Sequence, residues 1–248
     1  MKKIKLILFI LFISITLVAC NLNEDANSNL DKEQVIEKTE ESFKELKSLN
    51  EEVDMVLSGL VEGQQQKQSI EMEVEMIYDD NKDIESIHTK TEVTSNNQTQ
   101  TMDFYKNPEN MYINQGNGWI KFNGQEDYST TYEPILDSFL TVVEDLDMEE
   151  KEEKYIFKYK GKDAKIYRLM GVPYNIEYNG IDNKDIELDL EYSISKENML
   201  LNEIKIKTFG EIDEQNNIEI NVDVDFDDFN EIDEIEIPEE VTNSASIK

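Results

Sequence analysis

Several runs of this chain alternate one apolar residue with one charged residue. "SIEMEVEMIYD" sets Ile70, Met72, Val74 and Met76 in one phase and Glu71, Glu73 and Glu75 in the other. "DIELDLEYSIS" does the same with Ile186, Leu188, Leu190, Tyr192 and Ile194. "NEIKIKTF" and "NIEINVDVDFDDF" repeat the pattern. A period of two means extended strands with one buried face and one wet face, the habit of antiparallel sheets. Turn-forming clusters separate the runs: "YDDNKD" (78–83), "TSNNQT" (94–99), "NQGNGW" (114–119) and "DEQNN" (213–217). One-sided strands need a second layer against their apolar face.

Two segments carry a helical period instead. In 28–50, Leu30, Val35, Ile36, Thr39, Phe43, Leu46 and Leu49 recur mostly three and four apart, with Asn29 or Asp31 as the cap. In 130–153, Pro134 sits near a helix start and Ile135, Leu136, Phe139, Leu140, Val143 and Leu146 form the stripe. Residues 168–185 read as a loop or broken strand. The expected order is helix, about four strands, helix, about five strands.

The N-terminus is of another kind. Lys2, Lys3 and Lys5 precede a 14-residue apolar run, Leu6–Ala19. Spanning a bilayer takes about 20 such residues, so the run reads as a secretory signal. Its end, Leu17-Val18-Ala19-Cys20, holds the only cysteine of the chain and resembles the lipobox of bacterial lipoproteins. That resemblance implies cleavage before Cys20 and a diacylglyceryl thioether on its sulfur. Two acyl chains on one residue make a stable anchor. The expected organisation is a signal peptide over 1–19, a polar tether over 20–30 and a single domain over 31–248. The expected location is the extracytoplasmic face of the cell membrane. With no second cysteine, no disulfide is expected.

Asp and Glu number 56 against 24 Lys and Arg, for a net charge of −32. Loss of the signal, with its three lysines, takes the mature 229 residues to −35. Such a field argues against nucleic acid and against the body lying flat on anionic lipid. Abundant Ile, Asn, Lys and Glu, and Asn rather than Asp after Cys20, fit a low-GC Gram-positive source.

The order of elements resembles the LolA/LprG-type lipoprotein-carrier superfamily, in its Gram-positive branch. The likeness rests on the lipobox, the helix leading into "KSLNEEVDMVLSG", the hairpin "MDFYKNPENMYINQGNGWIKF" and the ending "IEIPEEV" (235–241). It implies an α+β fold: a strongly curved antiparallel half-barrel covered on its concave face by amphipathic helices. It also implies an acyl chain or other apolar ligand in the concave space.

Catalytic chemistry finds little support. His88 is the only histidine, no Gly-x-Ser-x-Gly is present, and no glycine-rich phosphate loop occurs. So many acids guarantee chance carboxylate pairs, which therefore carry no weight. Asp223, Asp225, Asp227 and Glu234 match part of a calcium-loop spacing, but Asp228 stands where the loop needs Gly, and the strand period continues through the segment. We expect no enzyme, no cofactor beyond the lipid on Cys20, no metal site, and a monomer. Met55, Met72, Met76 and Met102, adaptable thioethers, are the candidate ligand contacts, with Trp119 and Phe139. The alternative is an acidic interaction module without a ligand cavity.

Overall fold

The computed structural model describes residues 30–122, 131–171 and 181–247. The signal segment, Cys20 and Asn29 lie outside them. Helix α1 (Lys32–Glu45) is fixed at its start by a reciprocal cap. The Gln34 N–H donates to the Asp31 carboxylate at 2.9 Å, and the Asp31 N–H donates to the Gln34 side-chain oxygen at 3.0 Å. The helix stops sooner than the spacing predicts. Leu46 turns extended, and Leu49 belongs to strand β1 (Ser48–Val61).

Then follow β2 (Gln64–Tyr78), β3 (Ile84–Ser95), β4 (Gln98–Lys106), β5 (Met111–Asn114) and β6 (Trp119–Phe122). Helix α2 (Tyr132–Val142) ends in one 3₁₀ turn, Val143–Asp145. The expected helix over 130–153 is therefore too long: Asp147–Glu150 is strand β7, paired with β8 (Lys154–Gly161). A third helix, α3 (Ala164–Gly171), opens the stretch read as loop or broken strand. Strands β9 (Glu187–Ser195), β10 (Leu201–Asp213) and β11 (Asn216–Asp227) precede a short helix, α4 (Glu239–Ser244), and β12 (Ser246–Ile247).

All described strands join one sheet in the order β12-β6-β5-β4-β3-β2-β1-β11-β10-β9-β8-β7. Every pairing is antiparallel except β12 on β6. β1 is the hinge of the topology: one meander runs outward from it through β2 to β6, and another from its partner β11 back through β10 to β7. Edge strands β7 and β12 do not pair, so the sheet is not closed. The turns follow from local chemistry. Asn96 and Asn97 take φ of 52° and 62°, the two left-handed residues of a tight hairpin, and Glu62 and Gly63 do the same between β1 and β2.

The register places the alternating apolar residues on one face. Val224, Val222, Ile206, Leu190, Tyr192 and Phe157 there are all buried. α2 packs on this face. Phe139 stands edge-on to Phe157 at 5.1 Å and tilted against Tyr192 at 4.9 Å, while Tyr132 stands edge-on to Phe226 at 5.0 Å. Full burial of each such ring stabilises by about 1.5–3 kcal/mol.

Candidate ligand-binding face

The expected methionines meet on the apolar face. Val224, Val53, Met72, Thr91 and Met102 are successive cross-strand partners from β11 to β4, and Met55–Ile70 and Leu49–Met76 flank that row. Exposure rises toward the β6 edge along the rows of Val53 and Glu51, while Met111 of β5, in the row of Leu49 and Met76, stays buried. Met76 is fully buried and Met55 is 9% exposed, whereas Met102 reaches 37%. Ile70, Met72, Phe104, Ile113 and Ile120 on the same face are half-buried. Phe139, by contrast, is 0% exposed against β8 and β9, so it is core of the other half rather than a neighbour of Met102.

One residue of the apolar face breaks its chemistry. Glu51 lies between Leu49 and Val53 on β1, opposite Val74 on β2 and Phe226 on β11. It is 0% exposed, and neither carboxyl oxygen meets a hydrogen-bond donor among the described residues. Removal from water with no compensating partner disfavours the anion. Burial accordingly pushes the Glu51 carboxyl from its ordinary 4.5 up to about 8. The same burial, then the Glu51 charge, raises Tyr78. A chain of rings links Tyr78 to Phe226, the residue opposite Glu51. Tyr78 is edge-on to Phe43 of α1 at 6.5 Å, Phe43 stacks on Tyr132 at 5.9 Å, and Tyr132 meets Phe226. The Leu201 N–H donates to the Tyr132 hydroxyl at 2.8 Å and fixes that ring. Sequence reasoning passed over Glu51, although its place in the apolar phase of "LNEEVDM" was the available signal.

Residues 31–246 match the model of a family of unknown function, DUF6612. The chain belongs to the DUF6612 family. No curated protein sequence matches it. LprF from Mycobacterium bovis is 14% identical over 84% of this chain and 96% of its own, with a TM-score of 0.43. A DUF1329 family protein from Desulfovibrio piger is 8% identical over 79% and 91%, with a TM-score of 0.26. A LolA superfamily protein from Nitrosomonas europaea is 9% identical over 86% and 97%, with a TM-score of 0.21. These three likenesses are too distant to bear on activity.

The opposite face of the DUF6612 sheet is polar, and Trp119 is there. Trp119, Asn114, Asp103, Lys90, Glu73, Glu52 and Asp225 form one cross-strand row from β6 to β11. The sheet thus separates Trp119 from the methionines, and the expected grouping of the two is corrected. The reason is register: "MDFYKNPENMYINQGNGWIKF" has apolar residues in both phases, so its pattern does not choose a face. Trp119 lies 5.7 Å from Tyr105, which stacks on His88 at 4.1 Å. The His88 ring nitrogens face Glu75 at 3.2 Å and Asp103 at 2.9 Å. Burial, then the Asp103, Glu75 and Glu240 charges, raise the Tyr105 hydroxyl.

Asp223, Asp225 and Asp227 point outward from β11 beside Glu52 and Asp54 of β1 and Glu71 and Glu73 of β2. Desolvation first, then Asp227, Glu73, Asp225 and Asp54, raise Glu52. Toward β8 the lattice changes sign, with Lys158 reaching Glu149 at 3.2 Å and Glu191 at 3.4 Å. Among the described residues no set of three or more His, Cys, Asp or Glu is arranged to hold a metal ion, and no helix is long and apolar enough to cross a membrane.

Proposed function

We propose that this protein is a non-enzymatic, membrane-anchored extracytoplasmic lipoprotein that holds an acyl chain or another hydrophobic ligand. The ligand lies against the apolar face of the sheet, which is the concave side of a half-barrel roofed by α1 and α2. The anchor is the diacylglyceryl group on Cys20. One observation supports the ligand reading above the rest: the apolar face is closed by aromatic packing over β8–β11, whereas on β4–β6 Phe104, Ile113 and Ile120 are half-buried and Met102 is exposed, beside a buried Met111. An apolar surface left partly open on a monomer marks a binding site. Native mass spectrometry of the protein purified from its own host, with organic extraction, tests this reading. A stoichiometric lipid supports it. An empty protein that also takes up neither a fluorescent fatty acid nor an uncharged fluorescent acyl probe overturns it.

A second reading has its own observation, the run of carboxylates on the outward face of β11, β1 and β2. It makes the protein an acidic interaction module for a basic partner. Capture that survives bulky substitutions at Met72 and Met102 but is lost on charge reversal at Asp223 and Asp225 would favour it.

A further inference from the structure

A fully buried carboxyl without a donor is rare in folded proteins and calls for an explanation. Glu51 is not a leftover of the acidic surface, because β1 turns Asn50, Glu52 and Asp54 to the other side. It is set into the apolar face with Phe226 opposite it and Tyr78 close enough to feel its charge, and those two rings are joined through Phe43 and Tyr132. Aromatic faces carry negative potential, and rings around an acid are the arrangement that recognises organic ammonium ions.

We propose that Glu51 with Phe43, Tyr78, Tyr132 and Phe226 forms a binding site for an organic ammonium group, the head of a cationic amphiphile whose tail lies along the apolar face. This rests on the apolar-ligand reading above and narrows it to one headgroup class. Two further features support it. The row that starts at Glu51 continues through Val74, Thr89, Phe104, Ile113 and Ile120, from buried to half-open, and gives a tail an apolar track. Near Tyr132, an open surface groove of about 460 Å³ is lined by Phe229, Met199 and Leu200 together with polar residues that include Lys38, Glu41 and Glu45. Phe229 lies 6.3 Å from Tyr132. Phe43 itself is half-exposed on α1. The protein's net charge of −32 favours a cation over a fatty-acid anion at this site.

Binding must displace the proton that burial keeps on Glu51: the neutral acid plus ammonium becomes a carboxylate–ammonium pair, and the proton goes to buffer. The other titratable groups there are Tyr78 from β2, Tyr132 from α2 and, farther off, Glu133. α1 contributes Val35, Thr39 and Phe43.

The test is isothermal titration of the full-length protein with hexyltrimethylammonium, hexanol and hexanoate, for wild type and Glu51→Gln. The expected result is an ammonium affinity about tenfold or more above the other two probes, lost in Glu51→Gln, as for a charge-assisted contact. Titrations in two buffers should show about one proton released per ammonium bound. Equal affinity for the three probes, or an ammonium affinity unchanged in Glu51→Gln, overturns the ammonium site and leaves the apolar-ligand reading standing. No binding of any probe overturns the ammonium site too. The apolar-ligand reading itself falls only with the native-lipid measurement.

Discussion

Replacing Glu51 with Gln should stabilise this protein at neutral pH, and by an amount that pH controls. In the folded state burial holds the carboxyl at about 8, against its ordinary 4.5. Between those values the unfolded chain has released the proton and the folded chain still binds it. Folding therefore takes up a proton, and stability falls as pH rises from 4.5 to 8. Each unit of separation is worth about 1.4 kcal/mol. The penalty is near zero at pH 4, about 3 kcal/mol at pH 7, and levels off at about 5 kcal/mol above pH 8. Gln keeps the shape and the unsatisfied polar atoms but cannot ionise, so the two proteins should share a stability at pH 4 and diverge above it. Urea unfolding at fixed pH values measures this. With a slope of about 3 kcal/mol per molar, the midpoint gap at pH 7 is about 1 M in favour of the variant. A gap that does not change with pH would refute the reasoning, because it would mean that Glu51 titrates alike in both states. A variant less stable at pH 4 would show instead that the acid makes hydrogen bonds that Gln cannot replace.

Three further outcomes follow from the packing. Phe139→Ala should cost about 3–5 kcal/mol, since the ring is fully buried against Phe157 and Tyr192; Met102→Ala, at 37% exposure, should cost about 1 kcal/mol or less in thermal unfolding and show its effect in uptake of a fluorescent fatty acid. Gly59→Ala should destabilise by about 2 kcal/mol or more, because its Cβ would stand 2.2 Å from the Asn217 carbonyl oxygen where β1 meets β11. Burial alone would raise Glu203, yet hydrogen bonds from Lys154 and Lys205, with Ser193, lower it to about 2. Its contribution is present above pH 4.5 and is lost as pH falls toward 2. After screening it is worth about 1 kcal/mol, so Lys154→Met should shift acid unfolding to higher pH.

The parts of the fold that could be read from sequence are those where one physical signal acted alone. The clean alternation of 70–76, 186–194 and 218–226 gave strands with the correct face inward, since a period of two leaves one apolar side. The ends of the helices were harder to read. Leu46 and Leu49 keep a helical spacing although the backbone is already extended at Leu46 and in β1 at Leu49, and Leu146 does the same once the 3₁₀ turn after α2 has ended. A strand and a helix can share apolar residues three apart, and only pairing with β2 or β8 decides between them. The face of Trp119 was hidden for a related reason. The strands around it are apolar in both phases, so its side was set by the β5–β6 register and not by its neighbours in sequence.

Glu51 is the reverse case, legible yet unread. Its phase is fixed by Leu49, Val53 and Met55, all apolar and all inward, while Asn50, Glu52 and Asp54 take the wet side. Among 56 acids an individual Glu draws no attention, and composition argues that any one of them is a solubilising surface charge. Phase overrides composition here, because a strand cannot turn a single residue to its other face without a bulge, and β1 pairs with β2 and β11 through this stretch with none. The carboxyl is therefore forced into the apolar layer by the residues on either side of it. A chain that needed only a sheet and a roof would be more stable with Val or Leu in that place. That a sequence otherwise so regular keeps an acid at the centre of its apolar face is the physical reason to look for its ligand there, rather than among the carboxylates that water already satisfies.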